Sequence, residues 1–372
     1  MLDMKFIREN PDAVKRGAEL KGMKVDVDRL LAIDAEKRGV VQKLQELQTE
    51  QNKASKELGP LMGQLKKETD AGKKAELEKK IEAMKSRPSA IKGEMAGMEE
   101  RIRTLDLDLD ILQLTIPQPP DDDVPIGKSA EDNIEILKWG EPRKFDFEPK
   151  SHIDLGKSLG LFDVDRGVKM AGSRSYVMTG AGALLHNAVL RMAQDFMIHE
   201  QGFTPMSIPV LVREGAMRGT GFFPAGREQA YRVGEVNDPA EEVRFLTGTG
   251  EVGLTAYHMD EILHEADLPK KYVTMSTCFR REAGTYGKDT TGLYRIHQFD
   301  KVEQVVICKN DKEESKMWHR KMLSFSEEML KRLKLPYRLL QCCTGDLGVK
   351  NASMIDVETW MPSRNGYGET HS

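Results

Sequence analysis

The 372-residue sequence lacks several features that mark common classes of protein. It has four cysteines, no CxxC pair and no histidine at ligand spacing, which disfavours a zinc ribbon and indicates reduced thiols in a cytosol. No apolar run is long enough for a signal peptide or a membrane span. The net charge is −4, which excludes a globally basic nucleic-acid coat. Aromatic residues make up 6% of the chain and charged residues 31%. We therefore expect a cytoplasmic protein with no membrane partner, rich in long solvated helices.

Residues 28 to about 112 carry apolar side chains at alternating spacings of three and four, which is the period of a coiled coil. The first seam contains Ile33, Val40, Leu44, Leu47, Ala54, Leu58, Leu61 and Leu65, with Lys37 and Gln51 as polar interruptions. After the turn TDAG (69–72), the second seam contains Leu77, Ile81, Met84, Ile91, Met95, Met98, Ile102, Leu105, Leu109 and Leu112. The pattern predicts an antiparallel hairpin of two long helices, kinked or broken at Gly59-Pro60 and Pro88.

The far end of this hairpin is more basic than the rest of the chain. Between Lys66 and Lys92 there are nine basic and five acidic residues, which suits binding to the phosphates of a polyanion. A solvated spacer or a dimerisation stalk would have a similar composition. Composition alone leaves these interpretations open.

The segment IPQPPDDDVPIG (116–127) ends the helical pattern. Short β-type runs follow at MSIPVLV (206–212), KYVTMST (271–277), KVEQVVIC (301–308) and ASMIDVETWM (352–361), with helical stretches at 182–202 and 312–334. Several β-type runs succeed one another directly, so the expected fold class is α+β, with an antiparallel β-sheet flanked by helices. The predicted domains are a coiled-coil arm at 1–112, a linker at 113–130 and a second domain at 131–372.

The run CFRREAGTYGKDTTGLYRIHQFDKVEQ (278–304) holds charges of both signs around one phenyl ring. Alternate side chains of a strand share a face. Pairing of its two ends would therefore bring together Arg280, Glu282, Arg295, Phe299 and Glu303. Guanidinium groups suit the phosphates of a nucleoside triphosphate, a ring suits its base and carboxylates suit amino groups. An exposed, salt-bridged hairpin is the alternative.

FRREAG followed by GLYRIHQFDKVEQ resembles motif 2 of the class II aminoacyl-tRNA synthetases, in the form seen in seryl-tRNA synthetases. The resemblance covers nearly the whole chain. MLDMKFIRENPDAVK resembles the family's opening, the hairpin its tRNA-binding arm, and EDNIEILKWGEPR the segment between arm and body. GFTPMSIPVLVREGAMRGTGFFP resembles motif 1, with Pro209 in the proline position, and TGTGEVGLTAYHMDEIL resembles the serine-binding segment. The resemblance implies a class II synthetase-type catalytic domain.

The resemblance also implies roles for single residues. The serine-binding candidates are Thr249, Gly250, Glu251 and Glu303, of which Glu303 would receive the ammonium group. Arg280 at the α-phosphate of ATP and Arg295 toward the terminal phosphate are the catalytic candidates. The further ATP-binding candidates are Arg281, Glu282, Ile296, Phe299, Glu369, Thr370, His371 and Ser372. Glu369 and Ser372 are also candidates for Mg²⁺ coordination, since Mg²⁺ takes oxygen ligands beside a triphosphate.

The implied activity is ATP-dependent formation of seryl-adenylate from L-serine and transfer to tRNA(Ser), and on the same logic to tRNA(Sec). A homodimer is implied because motif 1 forms the dimer contact in this class. One alternative is an inactive paralogue or fragment that binds RNA through the arm. Another is the group of related enzymes that load amino acids onto carrier proteins, but those lack the long arm.

Three departures from the family pattern stand out. Gly250 replaces an alanine, and Thr291 in DTTG replaces an arginine. The chain stops after ETHS, before the strand and helix that carry motif 3, with its adenine-covering arginine and serine-contacting hydroxyl. The predicted catalytic domain is therefore incomplete, and we expect this 372-residue chain to adenylate serine poorly.

Overall fold

The structure, a computed structural model, describes residues 2–235, 237–284 and 292–372, without the side chains of residues 83–89. The chain forms two compact units. The arm unit contains Leu2–Lys15 and Lys24–Ile116, and the body unit contains Arg16–Met23 and Pro117–Ser372. No helix among these described residues has the length and apolar composition needed to cross a membrane.

The regular elements are as follows. The helices are α1 (Met4–Glu9), α2 (Pro11–Leu20), α3 (Val27–Lys67), α4 (Ala71–Gln113), α5 (His152–Ser158), α6 (Val164–Ala171), α7 (Gly180–Asp195), α8 (Glu214–Gly219), α9 (Glu251–Ala256) and α10 (Lys312–Arg332). The strands are β1 (Ile134–Trp139), β2 (Phe162–Asp163), β3 (Val177–Met178), β4 (Thr204–Pro205), β5 (Leu211–Val212), β6 (Tyr231–Val233), β7 (Arg244–Leu246), β8 (Lys270–Phe279), β9 (Gln298–Ile307), β10 (Tyr337–Gln341), β11 (Ile355–Met361) and β12 (Gly366–His371). A π-helical turn, Phe196–Glu200, continues α7.

The arm unit is an antiparallel pair formed by α3 and α4. The predicted seam side chains are buried or half-buried in both helices, except Met84, which lies outside the described side chains. Lys37, early in α3, pairs with Asp106, late in α4, at 2.5 Å, as expected for an antiparallel pair. Asp70 is the N-cap of α4: its Oδ1 accepts hydrogen bonds from the backbone N–H groups of Gly72 and Lys73 at 2.9 and 3.0 Å. The predicted helical hairpin is confirmed.

The predicted helix breaks are wrong, whereas a kink at these positions stays a prediction. The helix α3 continues through Gly59 and Pro60, and the backbone of α4 is helical through residue 88. A proline inside a helix removes one backbone hydrogen bond and costs about 3 kcal/mol. The half-buried Leu58 and Leu61 continue the seam on both sides of Pro60, so packing against α4 offsets that local cost.

The body unit is built on two main sheets. One is antiparallel in the order β1-β10-β11-β12, and the other has the order β4-β8-β9, with β4 parallel to β8. The smaller sheets have the orders β5-β7-β6 and β2-β3. A core of Phe196, Phe203, Val273, Phe325 and Met329 packs the π-helical turn and α10 against β8. The expected α+β class, with an antiparallel sheet flanked by helices, is confirmed.

Two parts of the body unit differ from the sequence-based expectation. Of the predicted strand at 206–212, only Leu211–Val212 is a strand, since Pro209 has no N–H to donate to a ladder. Part of the predicted linker is hydrogen-bonded within the body unit, where Gln118 N–H donates to Val349 O at 2.8 Å and Asp121 N–H to Ala352 O at 2.9 Å. The domain limits at 1–112, 113–130 and 131–372 stay a prediction.

Candidate functional site

The candidate site lies on the two longest strands of the body unit. β8 and β9 pair from Lys270↔Ile307 to Phe279↔Gln298. Directly opposed residues of an antiparallel pair share a face, and so do alternate residues of one strand. Phe299, Lys301 and Glu303 therefore lie along one face of β9.

The strand alternation predicted through Glu282 and Arg295 does not extend that far. β8 ends at Phe279 and β9 begins at Gln298, and one further backbone bond joins Arg280 N–H to His297 O at 2.9 Å. Glu282 has a φ of +52°, in the left-handed region, so it does not continue the strand. The charges between the strands are placed by turns rather than by strand alternation.

These turns nevertheless bring the predicted charges together. The guanidinium carbon of Arg280 lies 5.2 Å from the centroid of the Phe299 ring, and Arg280 Nε donates to Gly248 O at 3.3 Å. Arg295 Nη1 donates to Glu282 Oε2 at 2.6 Å, and the Glu282 side chain is 11% exposed. The end of the strand pair thus presents an aromatic ring, two guanidinium groups and a carboxylate.

Arg281 points to a different place. Its backbone N–H donates to Gln229 O at 2.9 Å and its Nη1 donates to Glu228 O at 3.3 Å. It lines a cavity of about 380 Å³ together with Arg227 and Arg232. The structure does not bring Arg281 to Phe299. Thr291 and the rest of 285–291 lie outside the described residues.

Thr249 is the centre of a hydrogen-bond network at the other end of the site. Its hydroxyl donates to Glu303 Oε2 at 2.5 Å and accepts from Lys301 Nζ at 2.7 Å and from the Glu251 N–H at 3.2 Å. Lys301 also forms an ion pair with Glu303. Thr249 is 4% exposed, so burial and these bonds hold its hydroxyl in one orientation.

Gly250, which directly precedes α9, packs tightly against the strand pair. A Cβ at this position would lie 2.7 Å from Thr274 Cγ2 and 3.0 Å from Glu303 Cβ. Real Cβ atoms do not approach that closely, so an alanine would have to displace Thr274 or Glu303. The glycine at the position of the family's alanine fits this packing.

Two lysines in the site were given no role by the sequence reasoning. Strand alternation predicts that Lys301 shares a face of β9 with Phe299 and Glu303, and the structure places it there, beside Thr249. Lys350 bonds Glu251 Oε1 at 2.5 Å across a sequence separation of 99 residues. No local pattern predicts a contact at that distance along the chain.

The last strand, β12, lies close to both ends of the site. Glu369 is opposite Glu358 of β11. Desolvation raises the pKa of the Glu369 carboxyl, while the guanidinium groups of Arg280 and Arg295 lower it, so Glu369 lies within their field. Burial lowers the pKa of His371, and the charge of Lys301 acts in the same direction.

The other two candidates on this segment differ in orientation. The Thr370 hydroxyl donates to Val357 O at 3.2 Å, so it faces β11. Ser372 is exposed directly after β12.

The sequence matches two family models. The one described as "Seryl-tRNA synthetase N-terminal domain" matches residues 1–120, and "tRNA synthetase class II core domain (G, H, P, S and T)" matches residues 231–372. The serine–tRNA ligase of Pseudothermotoga lettingae is 41% identical, over 100% of this chain and 84% of that protein. That of Thermotoga neapolitana is 42% identical, over 100% of this chain and 83% of that protein.

The fold matches solved structures of the same kind. Seryl-tRNA synthetase from Pyrococcus horikoshii complexed with ATP superposes with a TM-score of 0.82 at 34% identity, covering 99% of this chain and 83% of that chain. Cytoplasmic serine–tRNA ligase from Naegleria fowleri in complex with AMP gives a TM-score of 0.79 at 27% identity, covering 99% and 82%. By sequence along its whole length and by structure, the chain belongs to the seryl-tRNA synthetase family, the class II serine–tRNA ligases.

Proposed function

We propose that the β8–β9 site binds ATP and L-serine side by side and forms seryl-adenylate, whose seryl group then passes to tRNA(Ser). The observation that carries this proposal is the presence of two different groups of side chains on one face of β9. Arg280 lies over the ring at Phe299, and a threonine–lysine–glutamate network surrounds Glu303. Phe299 and Glu303 are four positions apart on β9, which corresponds to roughly 13 Å. An aminoacyl adenylate can span that distance.

The Phe299 end is assigned to the nucleotide. The adenine would stack on the Phe299 ring and move the Arg280 guanidinium toward the α-phosphate. The Glu282 carboxylate, held by Arg295, would accept a hydrogen bond from the adenine amino group, and the Ile296 backbone would contact the base. Arg295 would reach the terminal phosphate.

The Glu303 end is assigned to serine. The ammonium group would bind the Glu303 carboxylate, and the serine hydroxyl would donate to Glu251. The serine carboxylate then attacks the α-phosphorus, and the bond to pyrophosphate breaks. Arg280 would stabilise the charge that develops on the phosphate, and no protein nucleophile is required.

The residues of β12 fit the Mg²⁺ ion that accompanies ATP in this family. Glu358 and Glu369 face each other in register, so this part of the sheet is rich in carboxylate oxygen. Glu369 and Ser372 would hold the ion. Bound there, Mg²⁺ would neutralise phosphate charge.

The arm is assigned to the tRNA. The exposed lysines near the turn between α3 and α4, Lys66, Lys67, Lys73 and Lys74, would contact phosphates. Shape recognition of this kind also admits tRNA(Sec).

Since tRNA is the substrate, the proposed location is the cytoplasm. We also assign the chain to a homodimer, because α7 exposes Leu184 (73%) and Leu185 (62%).

The experiment that tests the function is serine-dependent exchange of pyrophosphate into ATP. The rate expected of this chain is low, and Arg280→Ala should lower it by a further factor of roughly 100, because a charge aimed at the transition state is lost. It should change serine binding little. Glu303→Gln should instead raise the serine concentration needed for half-saturation. Arg332→Ala is the control, since Arg332 bonds Glu200 and Glu328 at the surface. Unchanged exchange by Arg280→Ala would refute the proposal.

A further inference from the structure

Glu251, the proposed acceptor for the serine hydroxyl, is not held by its own helix alone. Its side chain is 36% exposed, and it is the first residue of the short helix α9. The only ion pair described for it joins Glu251 Oε1 to Lys350 Nζ at 2.5 Å, among the residues that the structure describes. This contact leaves Oε2 available to accept a further hydrogen bond.

Lys350 is itself held in place by several contacts. Its Nζ lies 3.8 Å from the centroid of the Phe222 ring, a cation–π contact. Its Cβ lies so close to Gly221 that a Cβ there would be 3.3 Å away. Phe222 packs in turn against the buried cluster that includes Met217, Phe223 and Phe245. The ammonium group therefore has a fixed position next to Glu251.

The turn that carries Lys350 is also anchored. Asn351 N–H donates to Gly348 O at 3.2 Å, and Gln118 N–H donates to Val349 O at 2.8 Å. The buried Lys21 donates to Gly348 O at 2.8 Å and to Asn351 O at 2.6 Å. A lysine on a turn with this many bonds loses little further freedom when it pairs with a carboxylate.

We propose that Lys350 is a positioning residue that sets selectivity for serine: it holds the Glu251 carboxylate so that Oε2 faces the side-chain hydroxyl of the substrate. The inference rests on the proposed function, in which Glu251 receives that hydroxyl. Within the described part of the chain, the polar and ring contacts of Lys350 are with Glu251 and Phe222, and neither Glu303 nor Phe299 is among them. Lys350 therefore acts on the part of the substrate that distinguishes serine from alanine.

The test compares binding of the stable sulfamoyl analogues of seryl-adenylate and alanyl-adenylate by calorimetry. The wild-type protein should prefer the seryl analogue. Lys350→Met should bind the seryl analogue about tenfold more weakly and the alanyl analogue unchanged, since only the hydroxyl contact is weakened. Lys350→Arg, which keeps the charge, should restore most of the preference. Lys309→Met is the matched control, because it removes a lysine from an exposed pair with Glu265.

The outcomes separate the two proposals. If the wild-type protein shows no preference for the seryl analogue, or Glu251→Gln keeps that preference, the assignment of Glu251 is wrong. If Glu251→Gln loses the preference while Lys350→Met keeps it, the inference about Lys350 is wrong. Tighter seryl binding by Lys350→Met would also overturn it, because Lys350 would then compete with the substrate. If Lys350→Met does not fold, Lys350→Gln takes its place in the same comparison.

Discussion

Lys21 is a lysine whose burial should make stability depend on pH. It is 5% exposed, and burial lowers its pKa to about 8, against 10.5 for an ordinary lysine. Between these two values the unfolded chain binds more protons than the folded chain, so the unfolding free energy rises with pH. Below pH 8 both states are protonated, and the destabilising effect of the buried charge is at its full size.

From pH 7 to pH 9.5 we expect the unfolding free energy of the wild-type protein to rise by about 2 kcal/mol relative to Lys21→Met. Urea denaturation followed by tryptophan fluorescence measures this, because Trp139, Trp318 and Trp360 all lie in the body unit. Parallel pH profiles for the two proteins would contradict the assigned pKa.

Single residues also show how far the sequence could predict the site. Thr249, Glu251 and Glu303 were assigned from the family resemblance, and the structure places them in or beside one network. Their roles stay proposals. Lys350 could not be predicted, because its contact with Glu251 depends on how a distant turn is held. Arg281 was expected beside the nucleotide but bonds to Glu228 O, since the chain turns directly after β8.

At the scale of elements, repeating patterns were predicted better than single interruptions. The seams of α3 and α4 follow from spacings that recur over forty residues, so one wrong position changes little. The strand pair β8–β9 was predicted, but its ends were not. The alternation of side chains stops where backbone pairing stops, and a sequence does not show where that is. The predicted break at Pro60 is wrong because the cost of the proline is confined to one turn, whereas the packing of α3 against α4 extends along the whole helix.

Pro60 therefore gives a prediction about α3. Pro60→Ala should stabilise this part of the helix by roughly 1 to 3 kcal/mol, because it restores a backbone donor inside an existing helix. Hydrogen exchange of the backbone amides at residues 57–64 should slow accordingly. Gly59→Ala serves as a comparison, since nothing lies within 4 Å of a Cβ at Gly59 and the gain should be about 1 kcal/mol. Faster exchange in Pro60→Ala would mean that α3 needs the proline.

At the scale of the whole molecule, the exposed apolar side chains of the body unit predict self-association. Leu184 and Leu185 on α7 are exposed, and Met170 of α6 is 78% exposed. Large apolar side chains this exposed on an otherwise charged chain are typical of an interface. Sedimentation should give about twice the chain mass of 41.9 kDa. Leu185→Asp should sediment as a monomer.

The control for this prediction is Leu107→Asp in α4. Leu107 is 65% exposed, so the substitution adds the same charge on the arm unit and should leave the mass unchanged. A wild-type protein that sediments as a monomer at micromolar concentration would contradict the proposed homodimer.

The Thr249 hydroxyl has one further consequence. An ammonium group and a peptide N–H can only give protons to its oxygen, so its single hydrogen has one destination, Glu303. The direction of the hydrogen bonds along Lys301–Thr249–Glu303 is therefore fixed by the donor and acceptor capacity of these groups. The substitution Thr249→Val would keep the shape of the side chain but remove its hydroxyl. Glu303 would then lose the hydrogen bond from Thr249 and keep its ion pair with Lys301.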